Sequence, residues 1–148
     1  MLESMKKLQM SLMPGEYIVC RLPVEGAGAN IWLPSEGFWS LTRTLDEVSL
    51  GMEADNAVPM TARVESGWRM LRVLGTLEFS QVGILAFLST VLADAGVSIF
   101  ALSTYDTDYL LVKDQQLAAA LQALAAAGVT VLASQDPAVL ESHSKPAL

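Results

Sequence analysis

Hydrophobic positions along residues 68–132 follow two periods in turn, one suited to strands and one to helices. Residues 68–74 form a run of strand length, and residues 75–79 read as a loop. Ile84, Leu85, Leu88, Val91, Leu92 and Ala95 then fall on one face of a helix. Ser80 is placed to cap that helix, with its side-chain oxygen available to the amides one turn on. Gly96 supplies a left-handed stop. Residues 97–105 and 109–112 are apolar strands meeting at a polar knot, Ser103-Thr104-Tyr105-Asp106-Thr107-Asp108. Asp114 is predicted to cap a second helix with the buried stripe Leu117, Leu121, Leu124 and Ala125. Gly128 ends it, and residues 129–132 make a last strand. The order strand, helix, strand, strand, helix, strand predicts the α+β class. It describes a ferredoxin-like βαββαβ unit, with two helices covering one face of a four-stranded antiparallel sheet.

The first half is patterned differently. Residues 8–13 read as extended, Pro14-Gly15 as a turn, and residues 17–22 as a strand ended by Pro23. Residues 24–37 are rich in Gly, Ala and Pro and read as a loop with at most a short helical turn. Residues 38–44 and 48–52 form a hairpin around Asp46-Glu47. Residues 61–67 are taken as a connector. The predicted organisation is a reduced, strand-rich unit over 8–66, a complete unit over 67–133 and a flexible tail over 134–148. The two predicted hairpins parallel one another and suggest diverged copies of one unit.

Composition narrows the classes of function. In 148 residues, 52% are hydrophobic and 17% charged, enough apolar material for packed cores. The net charge is −7, and there is no basic stripe of the kind that displaces counterions from nucleic acid. No apolar run reaches membrane-spanning length, since Ser89, Thr90 and Asp94 interrupt the longest one. Cys20 is the single cysteine, so an intrachain disulfide is excluded. It lies in a predicted strand and reads as a buried structural thiol. The N-terminus lacks a signal-peptide pattern, and the expected location is cytoplasmic. His143, the only histidine, stands in the tail with no cysteine near it, and no catalytic or metal role is expected of it. Two carboxylates at Asp106 and Asp108 are too few for an oxygen-rich cation cage. No metal, cofactor or catalytic set is expected. Asp106-Thr107-Asp108 has a plain reading as a solvated turn and a second as a binding element.

From Trp68 onward the chain resembles an ACT domain, a regulatory module that binds small molecules in amino-acid metabolism. The resemblance rests on the element order, on residues 77–84 entering the first helix, and on residues 99–112. More closely, it is similar to bacterial tandem-ACT proteins related to the aspartokinase regulatory region and the cytosolic arginine sensors. Residues 12–22 and 38–49 resemble the N-terminal ACT-like unit of such proteins. The resemblance implies a non-catalytic regulatory protein that binds a free amino acid at a junction of ACT units. It would act through a conformational or oligomeric change, as a homodimer without nucleic-acid or membrane partners. The implied ligand-binding residues are Ser80, Gln81, Val82, Gly83, Ile84, Thr104, Tyr105, Asp106 and Asp108. The helix start would receive the ligand carboxylate, and the aspartates an amino or cationic group. The rival expectation is a ligand-free assembly module on the same fold.

Overall fold

The computed structural model describes residues 8–24, 33–74 and 82–133. The chain divides into two compact units, residues 15–68 and residues 1–14 with 69–148. The fold class is α+β and ferredoxin-like, as expected.

The larger unit holds β1 (Gln9–Leu12), the end of β5 (Arg63–Val73), α1 (Ile84–Asp94), β6 (Ile99–Ser103), β7 (Asp108–Lys113), α2 (Leu117–Ala126) and β8 (Thr130–Ala133). Its strands lie in the order β6-β7-β5-β1-β8. A plain βαββαβ unit would set β5 beside β8. Here β1 lies between them, antiparallel to β5 (Met10 opposite Val73) and parallel to β8 (Met10 opposite Val131). The expected N-terminal unit began at residue 8, but β1 belongs with residues 69–133. A four-residue strand carries no mark of its partners, so the sequence gives its conformation without its place.

The core of this unit lies between helices and sheet. Ile84, Leu88 and Leu92 of α1 meet Met10, Leu71, Val73, Leu110 and Val112 of the sheet, with Ala120 and Leu124 of α2 closing the layer. Leu88, Leu92 and Leu124 are fully buried, as their helical spacing predicts. Both helices end in the same way. Val97 N–H donates to Leu92 O and Gly96 N–H to Ala93 O, with Gly96 at φ 75°. The Val129–Leu124 and Gly128–Ala125 pairs repeat the pattern, with Gly128 at φ 88°. This doubled bond closes the free carbonyls of the last turn.

The second helix starts differently from the expectation. Residues Asp114–Gln116 form a 3-10 turn, and α2 begins at Leu117 without a side-chain cap. Asp114 instead pairs with Arg69, its Oδ1 lying 3.1 Å from the guanidinium. Gln116 latches the preceding connection, donating to Gly96 O (3.1 Å) and accepting from Ser98 N–H (3.3 Å).

The smaller unit contains β2 (Tyr17–Leu22), β3 (Trp39–Arg43), β4 (Val48–Glu53) and the start of β5, in the order β3-β4-β2-β5. Ile18, Cys20, Leu50 and Met52 form its core. The predicted connector 61–67 is largely strand, since β5 starts at Arg63. Residues 63–66 are exposed, so no apolar alternation marks them, and backbone pairing with β2 holds them. Between the pairs Tyr17–Trp68 and Val19–Glu65, two residues face Ile18 alone. Gly67, at φ 77°, supplies the left-handed residue this bulge needs.

The buried place of β1 gives a test. Met10→Ala should destabilise the protein by about 2–5 kcal/mol in urea titration, because Met10 lines the helix-facing core. Hydrogen exchange should accelerate first at the β1–β8 amides.

Candidate functional site

One end of the larger sheet gathers the residues of interest. The β6–β7 hairpin turns there, with Ser103 opposite Asp108. Thr104 N–H donates to Thr107 O (2.8 Å), and Thr107 N–H donates back to Thr104 Oγ1 (3.2 Å). Ser103 Oγ donates to Asp108 Oδ1 at 2.6 Å. Thr107 is 2% exposed, and its hydroxyl donates to Val73 O at 2.7 Å. That bond ties the turn to the last residue of β5, from which the chain leaves toward α1. Hence the hairpin turn and the end of β5 lie at the same end of one sheet.

The start of α1 is open in its chemistry. Gly83, at φ 91°, is the N-cap, and among the described residues no side chain caps the helix. Its carbonyl accepts the first helical bond, from Phe87 N–H at 2.8 Å. A helix leaves its first amides without internal partners, and none of the first-turn residues here is acidic. Ser80 was expected at the cap, but the capping position falls three residues later. Ser80 and Gln81 themselves lie outside the described residues. Val82 is exposed, whereas the Ile84 side chain is 5% exposed and belongs to the core. Ile84 can therefore offer a ligand only its backbone.

The two aspartates differ. Asp108 shares its strand face with Leu110 and Val112, which lie under the helices. Its half-buried carboxylate, held by Ser103, is thus on the α1 side of the sheet. Asp106 is exposed at the tip of the turn, beside Tyr105 at 84% exposure. Thr104 and Asp108 stand at the hairpin end of the sheet, Val82 and Gly83 immediately precede α1, and Tyr105 and Asp106 project from the turn. Thr107, absent from the expected site residues, is the one that anchors the turn. A signal for it exists in the first half. Thr44 N–H donates to Glu47 O (2.9 Å) and Glu47 N–H to Thr44 Oγ1 (3.1 Å), the same closure as in Thr104–Thr107.

Two other features were weighed. A depression of about 330 Å³ lies against α2, β1 and β8, lined by Leu12, Leu121, Ala125, Val129 and Val131 with Leu132 and Ala133. Among the described residues it offers no polar side chain to orient a zwitterion. Cys20 is 1% exposed, and burial pushes its thiol above the usual range. This is the inert environment expected of a structural thiol. Among the described residues no helix is long and apolar enough to cross a membrane.

Comparison with known proteins fits this geometry. Residues 63–134 match the ACT domain family, and the chain carries an ACT domain there. The protein Atu0741 of Agrobacterium tumefaciens is similar at 32% identity, over 87% of this chain and 95% of its own, with a TM-score of 0.77. VC0802 of Vibrio cholerae, described as a possible transport protein, is 21% identical over 84% of this chain and 92% of its own, with a TM-score of 0.63. The regulatory subunit of aspartate kinase from Thermus thermophilus is 11% identical over 80% of this chain and 96% of its own, with a TM-score of 0.55. At that identity the likeness is one of fold. A search of curated proteins returned no match.

Thr107→Val should cost about 1–3 kcal/mol, because it leaves Val73 O buried without its donor. Solvent denaturation and hydrogen exchange at the hairpin check this. For Cys20, the raised folded value means that its contribution to stability is complete below the ordinary thiol range and is lost as pH rises through the folded value. Urea titrations of wild type and Cys20→Ala across alkaline pH should therefore diverge in slope, the wild type falling faster.

Proposed function

We propose that this protein is a non-catalytic regulatory protein that binds a free amino acid at the α1 end of the larger sheet. Two features of this unit support the reading: the start of α1, where Gly83 is the N-cap, and the Thr104–Asp108 turn, which Thr107 anchors to Val73 at the end of β5. The first-turn amides would take the ligand carboxylate. Asp108, on the helix side of its strand, would take the amino group or a cationic side chain. Gly83 lets the backbone come close, since its left-handed conformation strains any other residue. The site is completed at a junction with another ACT unit, and the working form is a cytoplasmic homodimer. Ligand binding favours one arrangement over another by its difference in affinity for the two, and so reports metabolite level to a partner.

One observation favours a second reading, that of a ligand-free assembly module. Tyr105 holds its ring in solvent at the tip of the turn, where an aromatic residue suits a protein contact.

Calorimetry against the twenty amino acids separates the two. At least one should give saturable heat at millimolar concentration or below. Gly83→Ala and Asp108→Asn should each weaken it about tenfold or more. Silence from all twenty, together with a change in oligomer size in Tyr105→Ser, would replace the first reading with the second.

A further inference from the structure

We propose that Ser11, Arg72 and Tyr109 form a seat for a carboxylate on the sheet face of the larger unit that lies opposite its helices. It is distinct from the site at the start of α1. The face follows from strand alternation. Met10 and Leu12, Leu71 and Val73, and Leu110 and Val112 all pack into or against the core beneath the helices. The intervening Ser11 and Arg72, and Tyr109 next to Leu110, therefore project from the other face. Ser11 and Arg72 are direct cross-strand partners. The Arg72 guanidinium lies over the Tyr109 ring, 6.0 Å from its centroid. The three residues form a row across neighbouring strands β1, β5 and β7.

Two donors in that row find no acceptor among the described residues. Ser11 is 0% exposed, and its Oγ has no hydrogen-bond partner. The Nε of Arg72 is equally enclosed and equally unpartnered. Among the described residues Arg72 has no ion pair, whereas Arg69 pairs with Asp114. Folded proteins keep few buried donors unmade, because each forfeits its bonds to water. Two such donors on facing residues, one of them cationic, in a chain of net charge −7, point to a missing acceptor.

The geometry also selects the acceptor. The cation–π contact with Tyr109 uses none of the N–H donors of the guanidinium. One oxygen of a carboxylate can take the Arg72 N–H and the other the Ser11 hydroxyl. One cation and one hydroxyl suit a single negative charge; a phosphate carries nearly two and more acceptor oxygens than this row supplies. Arg72 is half-buried, so the seat is reached along the outer side of its guanidinium. The carboxylate is that of a small free molecule or of an acidic side chain on a second copy of the chain.

The test follows the Arg72 Nε–H and Ser11 amide signals of the isotope-labelled full chain by NMR. Sodium acetate and then succinate are added, with sodium chloride holding the ionic strength constant. Both signals should shift saturably at millimolar acetate, with affinity reduced about tenfold in Ser11→Ala and lost in Arg72→Gln. The same shifts on raising protein concentration without acetate would also support the seat and assign the carboxylate to a second copy. Shifts that follow chloride equally, or acetate affinity unchanged in Ser11→Ala, would overturn it. Should Arg72→Gln fail to fold, Arg72→Lys, which keeps the charge but lacks the Nε–H, is expected to show a partial loss instead. The Gly83 amide serves as the control, since acetate acting at the helix start would move that signal and spare Arg72.

Discussion

Strand β1 gives the larger unit its form by hydrogen bonding on both sides at once. Gln9–Leu12 meets β5 on one side and β8 on the other, and neither of those strands pairs with the other directly. Four residues have no strand stability of their own, so β1 exists only because two ladders and a core receive it. In return it contributes Met10, which has no exposed surface, to the layer beneath both helices. The ladders continue past its ends, through Leu74 N–H to Gln9 O and Thr130 N–H to Leu8 O. The end of the sheet that carries the candidate site is thus framed by β1. The family match over 63–134 leaves out the strand that completes the folded ACT unit.

A second constraint acts at the hairpin. The turn after β6 is closed locally by Thr104 and Thr107, and Thr107 also fixes where the closed turn sits, through its buried bond to Val73. This division of labour explains why the two aspartates part company. Asp108 is on the ladder, opposite Ser103, and inherits the orientation of β7. Asp106 lies beyond the ladder, where only the turn positions it. The β3–β4 hairpin repeats the local closure at Thr44 and Glu47, and holds Leu45 almost wholly exposed at the place of Tyr105. Local sequence therefore builds the same turn twice, while the anchor from Thr107 to the neighbouring strand is described for one of them.

Local physics explains what was legible in the sequence. The two helices follow from apolar residues repeating at helical spacing, which needs no knowledge of partners. Their ends follow from Gly96 and Gly128, because the left-handed conformation is a property of one residue and its neighbours. The hairpin and the element order follow in the same way, and with them the ACT-like fold. Other features depended on contacts across the chain. Asp114 has the chemistry of a helix cap, yet Arg69, 45 positions earlier, takes its carboxylate. Residues 63–66 lack any alternation because β2 holds them through backbone bonds that leave no trace in side-chain pattern. The capping position moved from Ser80 to Gly83, because the chain enters α1 in a left-handed turn that only glycine adopts freely.

By itself the sequence determined which segments are helix, strand and turn, and that they compose an α+β ferredoxin-like module. These are outcomes of periodicity and of single-residue backbone preference. Only the tertiary structure decided where β1 goes, which aspartate shares a face with the helices, and that Ser11 stands opposite Arg72. Each of these is a matter of register between distant strands. Register is set by the whole packed sheet, and a one-residue slip would turn every one of those side chains to the other face.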